Sequence, residues 1–215
     1  MKSNTWFIRV FLLLSCNLLL GDTCTVIETY IDDLTKAKIL ELHNKARAKV
    51  ANGQQSGQPT ASNMKELQWS NELAVAAQTW VEACNRNHPS QAERKTKKYS
   101  LYGQNYYWGF GSDSLIKHVG VAVKMWYDEV KFLNPNVVSS YDGNYELHGH
   151  YTAMIWGETE VMGCGYAKEA ADNRVNIFCN YAPAEYFVGR AIYKTGPTAS
   201  KCSNGQSTSY PGLCK

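Results

Sequence analysis

The sequence lacks several features that would assign it to common functional classes. It contains no His-Glu-x-x-His zinc helix, no Gly-x-Ser-x-Gly nucleophile elbow and no phosphate-binding glycine loop. No Cys-x-x-Cys pair is present to begin a zinc site, and no apolar run reaches the roughly 20 residues that span a bilayer. We therefore expect a protein that is not an enzyme and that has no transmembrane segment.

An apolar stretch near the N-terminus predicts a signal peptide. Lys2 and Arg9 form a basic region, residues 10–20 are largely apolar, and the small residue Gly21 follows. We expect residues 1–21 to be removed and the protein to be secreted into the extracellular space. Cleavage takes away two of the 22 basic residues and none of the 19 acidic ones, so the mature chain is close to neutral. A nucleic-acid partner is not expected for such a chain.

The cysteines predict disulfide bonds. Of the seven, Cys16 lies in the predicted signal peptide. Six remain: Cys24, Cys84, Cys164, Cys179, Cys202 and Cys214. An even number in an exported chain favours three disulfides over a zinc site and leaves no thiol as a nucleophile, although six cysteines allow 15 pairings.

Helical periodicity dominates the first two thirds of the chain. Apolar residues recur at helical spacing over residues 35–50, from Ser70 to about residue 84, and over 114–132. The last of these helices is expected to end before Asn134-Pro135, because proline removes the backbone donor that a continuing helix needs.

Four short runs rich in β-branched and aromatic residues predict an antiparallel meander in the last third. They cover residues 151–156, 161–167, 175–181 and 187–193. Helices first and strands afterwards indicate an α+β domain. We divide the chain into the signal peptide at 1–21, a main domain at 22–199 and a C-terminal extension at 200–215 closed by Cys202 and Cys214.

A basic cluster lies between the second and third predicted helices. Arg94, Lys95, Lys97 and Lys98 fall in a hydrophilic stretch. We interpret it as a solvated loop, which such runs usually form, in preference to a basic binding site.

Several motifs resemble those of the CAP superfamily, which comprises cysteine-rich secretory proteins, antigen 5 venom allergens and plant pathogenesis-related proteins. Residues 149–156 with Gly163-Cys164-Gly165 are similar to its first signature and residues 178–183 to its second, although Glu185-Tyr186 replaces the usual Gly-Asn pair. Further motifs match at residues 43–47, 63–69, 84–88, 103–105 and 126–129, so the likeness covers about 34–193 and is nearest to the venom allergen-like branch.

This resemblance implies an α-β-α sandwich with a central antiparallel sheet, stapled by disulfides. By the same resemblance we expect the pairs Cys24–Cys84, Cys164–Cys179 and Cys202–Cys214. It also implies a secreted venom allergen-like protein that binds lipids. Sterols and fatty acids are the expected ligands, and a host or cell-surface protein is a further candidate partner.

The family has a central cavity lined by two histidines and two glutamates. When its motifs are matched to this sequence one by one, the corresponding residues are His88, Gln104, Glu129 and His150. The glutamine stands where the family pattern carries a glutamate, which removes a charge and all general-base capacity. We expect weak binding of a divalent cation, zinc or magnesium, that lipid binding does not require. The alternatives are that the two histidines are buried polar residues satisfied by Glu129 and backbone, or that the cavity is a metal-dependent hydrolase. His43 is interpreted as a packing and hydrogen-bonding residue.

The aromatic run at residues 102–110 is the most unusual composition in the chain. Tyr102, Tyr107 and Phe110 fit the spacing of a loop that, in sterol-binding CAP proteins, resembles a caveolin-binding motif; with Trp108 they are the predicted lipid-binding residues. Glycines within the run favour a mobile aromatic flap. The alternative is that the rings cover the cavity and core. Fatty acids are expected in a groove between the first and third helices.

Overall fold

The computed structural model describes residues 24–215, so the predicted signal peptide lies outside the described residues. The helices in this part are α1 (Asp33–Ala51), α2 (Asn71–Glu82), α3 (Leu115–Asp128) and α4 (Tyr145–Ile155). The strands are β1 (Val26–Glu28), β2 (Gln68–Trp69), β3 (Gly103–Phe110), β4 (Val161–Glu169) and β5 (Arg174–Ala182). Between residues 24 and 215, none of the helices has the length and apolar character needed to span a bilayer.

The strands form one sheet in the order β1-β4-β5-β3, with β2 added in parallel to β4. The other neighbours are antiparallel, and β3 pairs with β5 along its whole length, from Gly103 opposite Tyr181 to Phe110 opposite Arg174. Helix α2 packs on one face of the sheet, and α1, α3 and α4 lie on the other. The predicted α-β-α sandwich with a central antiparallel sheet is confirmed, and β3 forms one free edge of the sheet.

Glycines in β4 bring α2 directly onto the sheet. A Cβ atom at Gly163 would lie 2.4 Å from the backbone nitrogen of Ala74, and one at Gly165 would lie 2.4 Å from that of Gln78. Any side chain at these two positions would therefore push the helix away. Cys164, between them, points to the opposite face.

All three predicted disulfides are confirmed: Cys24–Cys84, Cys164–Cys179 and Cys202–Cys214. The middle pair joins residues directly opposite each other on β4 and β5. The last pair closes a loop within residues 200–215. Backbone hydrogen bonds of 2.8 Å, from Cys214 N to Met64 O and from Glu66 N to Cys214 O, join this segment to the body of the protein, and Leu213 is fully buried there.

A buried arginine ties α1 to the rest of the fold. Arg47 has no solvent exposure, and burial lowers the pKa of its guanidinium to about 9. The guanidinium donates hydrogen bonds of 2.7–3.4 Å to the backbone carbonyl oxygens of Lys65, Met154, Trp156, Gly157 and Thr159. Carbonyl groups thus satisfy a buried cation that would otherwise be costly.

Two predicted strands are wrong. Residues 151–156 form the second half of α4 and its C-cap, and they are buried all round, so no amphipathic periodicity marks them as a helix. Residues 187–193 form an irregular segment that bonds outside the sheet: Ile192 N donates to Val138 O at 2.8 Å, and Tyr141 N donates to Arg190 O at 2.7 Å. The third helix also ends earlier than expected, at Asp128, and continues as a short 3-10 turn.

Candidate functional site

A cavity of about 930 Å³ opens at the free edge of β3. Its apolar lining comes mainly from Leu101, Tyr102, Tyr141, Tyr145, Ala184, Tyr186, Phe187 and Val188. Its polar lining includes His88, Arg94, Gln104, Asn105, Glu146 and His150. Three of the four predicted cavity residues therefore line one space.

The side chain of His88 is oriented by a chain of hydrogen bonds that begins on α2. The carbonyl oxygen of Leu73 can only accept, so Asn180 donates to it from Nδ2 and accepts at Oδ1 from Gln104 Nε2, at 2.9 Å. Gln104 Oε1 then lies 2.9 Å from Nδ1 of His88, which must donate. The Nε2 lone pair of His88 is left available. Burial, together with the nearby charges of His150 and Arg94, lowers the pKa of His88 and favours this neutral form.

His150 is oriented by Glu129, the residue that follows α3. The Nδ1 atom of His150 lies 2.6 Å from Glu129 Oε1. The second oxygen, Oε2, accepts the backbone N–H groups of His150 and Tyr151 at 2.9 and 3.1 Å. Both carboxylate oxygens are therefore engaged, and Glu129 supports the imidazole instead of facing the cavity.

The two histidines could offer a cation two nitrogen ligands. In both, Nδ1 is held by an oxygen, an arrangement typical of metal-ligating histidines whose Nε2 faces the metal. No other ionisable ligand joins them: across residues 24–215, His, Cys, Asp and Glu side chains form no group of three or more suited to a metal ion. Within the described residues, the cavity thus presents two oriented imidazoles and no complete set of metal ligands.

A buried network supports the cavity wall from behind. His43 on α1 donates from Nδ1 to Ile39 O at 2.8 Å, and its Nε2 lies 2.9 Å from the hydroxyl of Tyr181. Asn105 Nδ2 reaches both that hydroxyl and the carbonyl oxygen of His150, at 3.3 and 3.0 Å. The prediction that His43 is a packing and hydrogen-bonding residue is confirmed.

The aromatic run is a paired strand, so the predicted mobile flap is wrong. Tyr102 is 4% exposed and lines the cavity, whereas Tyr107 is 7% exposed and packs under α3 against His118. Trp108 and Phe110 are each 51% exposed and contact each other at the far end of β3. The fold does not bring the four predicted lipid-binding residues together. Tyr107 points to the opposite face of the sheet from Trp108 and Phe110, and these two lie at the other end of β3 from Tyr102.

The space between α1 and α3 is filled by packed side chains. Ile39, Val123 and Trp126 meet there with too little room for a water molecule. The predicted fatty-acid groove is closed in this structure.

The apolar side chains at the mouth of the cavity were missed from the sequence. Tyr145, Phe187 and Val188 line it and are more than half exposed. The Phe187-Val188 pair lies at an apolar turn before Gly189, whereas its aromatic and β-branched residues predict a strand.

Comparisons with known proteins agree with this architecture. Residues 40–181 match the family model for the cysteine-rich secretory protein family, CAP. Scoloptoxin SSD43 of Scolopendra dehaani is 49% identical over 197 residues, 91% of each chain. Venom allergen 5 of Vespula vidua is 37% identical over 177 residues, 79% of this chain and 84% of that protein. The crystal structure of NaASP2 with Zn²⁺ superposes with a TM-score of 0.73 at 30% identity, covering 86% of this chain and 97% of the other.

Proposed function

This chain belongs to the cysteine-rich secretory protein (CAP) family, and from that premise we propose that it is a secreted, venom allergen-like protein that binds an amphipathic lipid, a sterol or a fatty acid, in the cavity at the edge of β3. Three disulfides within residues 24–215 agree with an oxidising compartment.

The observation that carries the proposal is the apolar mouth of a large cavity. A volume of about 930 Å³ falls within the usual range for small-molecule sites. Tyr145, Phe187 and Val188 stand exposed around it, although burial would be favourable for each. A ligand with an apolar body would cover them.

The polar residues of the same cavity indicate that the ligand also has a polar end. His88, Gln104 and His150 lie on the polar part of the lining and can exchange hydrogen bonds with a head group. Covering about 400 Å² of apolar surface gains about 10 kcal/mol before the costs of association. With a cost of about 4 kcal/mol, about 6 kcal/mol remains, which corresponds to a dissociation constant of about 40 μM from the apolar body, and hydrogen bonds to the head group add to it.

A metal-dependent hydrolase is the weaker alternative. Such an enzyme needs a general base beside the metal-bound water. Gln104 cannot act as a base, and both oxygens of Glu129 already accept hydrogen bonds. A cation bound at His88 and His150 would be accessory, and lipid binding does not require it.

Two matched double variants test where the lipid binds. Phe187→Ala with Val188→Ala removes the apolar mouth, while Trp108→Ala with Phe110→Ala removes the exposed rings at the far end of β3. Radiolabelled cholesterol and palmitate are titrated into the oxidised protein. We expect the first pair to weaken binding at least tenfold, about 1.4 kcal/mol, and the second pair and chelation to leave it unchanged.

Failure of the wild-type protein to bind either lipid would refute the function. If the Trp108→Ala, Phe110→Ala variant lost lipid binding and the Phe187→Ala, Val188→Ala variant kept it, the cavity would not be the binding site.

A further inference from the structure

One residue of the basic cluster differs from its neighbours. Lys95, Lys97 and Lys98 are exposed, as expected for a solvated loop, whereas Arg94 is half-buried and its side chain lines the cavity. The Nε atom of Arg94 is buried and has no hydrogen-bond partner. The interpretation of the whole cluster as solvated is therefore wrong for Arg94.

The backbone of Arg94 is fixed relative to the cavity. Its carbonyl oxygen accepts the N–H of Tyr102 at 2.9 Å, and its own N–H donates to Ser90 O at 3.2 Å. Arg94 thus lies beside the residue that leads into β3, and its charge helps to lower the pKa of His88, for which burial is the main cause.

The guanidinium has no counter-ion or acceptor in the part of the chain that the structure describes. The other arginines of residues 24–215 all have acceptors: Arg47 in five carbonyl oxygens, Arg86 in Glu169, Arg174 in Asn176 and Arg190 in Glu185.

Two carboxylates, one adjacent to Arg94 in the sequence and one in the cavity lining, form no ion pair with it in the described part of the chain. Glu93 is engaged by the N–H and hydroxyl of Ser90, at 2.9 and 2.7 Å. Glu146 lines the cavity but is exposed to solvent. A half-buried guanidinium with unused N–H groups, facing a cavity, is suited to an anion supplied from outside.

We propose that Arg94 binds the head group of the ligand, and that the cavity selects an anionic amphiphile with a carboxylate, sulfate or phosphate head. This inference rests on the proposed lipid binding and adds the charge of the ligand. The planar guanidinium can donate two parallel hydrogen bonds to such a head, which a neutral hydroxyl cannot accept in the same way. The apolar body then extends towards Tyr145, Phe187 and Val188.

The test uses lipids that differ only in their head groups. Cholesterol is compared with cholesterol sulfate, and hexadecanol with palmitate, by calorimetric titration of the oxidised protein. We expect the anionic member of each pair to bind at least tenfold more tightly. Arg94→Gln should abolish this preference, and Arg94→Lys should retain part of it.

Lys95→Gln is the matched control, since it removes the same charge from the adjacent exposed position. Equal affinity of the wild type for neutral and anionic lipids would overturn the inference and leave the proposed function standing. A preference that survives Arg94→Gln, or that Lys95→Gln abolishes equally, would also overturn it. Absence of binding by all four lipids would overturn both.

Discussion

Both ends of β3 carry an arginine among aromatic rings, and the two clusters differ in how the arginine is satisfied. At the outer end, the guanidinium of Arg174 lies 4.8 Å from the ring centre of Trp108 and 5.7 Å from that of Phe110, and it donates to two neighbouring side-chain oxygens. At the cavity end, Arg94 faces open space and has no acceptor in the described part of the chain. The comparison teaches that exposed rings alone do not indicate a binding site, because the arginine of the outer cluster already has its hydrogen-bond acceptors and ring contacts within the protein.

The largest expected effect concerns the buried network behind the cavity wall, which contains the neutral imidazole of His43. Burial lowers the pKa of His43 from 6.5 to about 4. The unfolded chain therefore takes up a proton below about pH 6.5 while the folded chain resists it, so stability falls as the pH drops from about 6.5 to about 4. We expect a loss of about 3 kcal/mol from this group, measured by urea unfolding at several pH values.

His43→Gln is the control for this acid dependence. The variant should lose most of the slope between pH 6.5 and 4, whatever its stability at neutral pH. An unchanged slope would mean that other groups cause it.

A second test changes the close contact between Gly103 and the ring of Tyr186 in the cavity wall. A Cβ atom at Gly103 would lie 2.2 Å from Cε2 of Tyr186, which lines the cavity. We expect Gly103→Ala to cost about 2 kcal/mol in the free energy of unfolding and to weaken lipid binding, since the ring must move.

Gly120→Ala on α3 is the matched control for this substitution. A Cβ atom there meets nothing within 4 Å, so the variant should gain up to about 1 kcal/mol from helix propensity and bind lipid normally. If both variants behaved alike, the contact with Tyr186 would not matter.

The two arginines can be compared directly by thermal unfolding. Arg174→Ala should cost about 1–2 kcal/mol, because it removes the stacking on two rings and two hydrogen bonds. Arg94→Ala should change stability by less than about 0.5 kcal/mol, since no partner is lost. An equal cost for both would contradict the difference between the two ends of β3.

The smallest expected effect concerns a divalent cation at the cavity end. With two imidazole ligands, zinc should bind weakly and stabilise the protein by about 0.4 kcal/mol when its free concentration equals the dissociation constant. Affinity should decline in acid, because protonated imidazole cannot bind a metal. Calorimetric titration of the wild type and of the His88→Ala, His150→Ala double variant checks this. Identical heats would contradict zinc binding by the two histidines.

The sequence predicted the elements whose periodicity is clear and missed those whose surroundings decide the structure. Helices α1, α2 and α3 have one buried face, and β4 and β5 are continuous buried strands. The run at 151–156 is buried on every side, so it could not be distinguished from a strand. Strand β3 was not predicted because glycines, which are uncommon within strands, occur in it. Gly103 leaves room for the ring of Tyr186, and this contact with a distant part of the chain cannot be read from the local sequence.

The candidate site was predicted in part. Resemblance gave the disulfide pairs, and it indicated His88 and His150 as residues of one cavity. It could not give the position of Arg94, because a basic loop has no periodicity to show which side chain turns inwards. Nor could the spacing of Tyr102, Tyr107 and Phe110 show that Tyr107 falls on the other side of the sheet.

The buried Arg47 also determines when the N-terminal helix can be completed during synthesis. Four of its five carbonyl acceptors come from residues 107–112 positions later in the chain. At a synthesis rate of about 5–20 residues per second, they follow Arg47 by roughly 5–20 seconds. During that interval the cation must remain hydrated. Helix α1 therefore cannot dock in its final place until residues 154–159 have been made, and the domain assembles only when most of it has been synthesised.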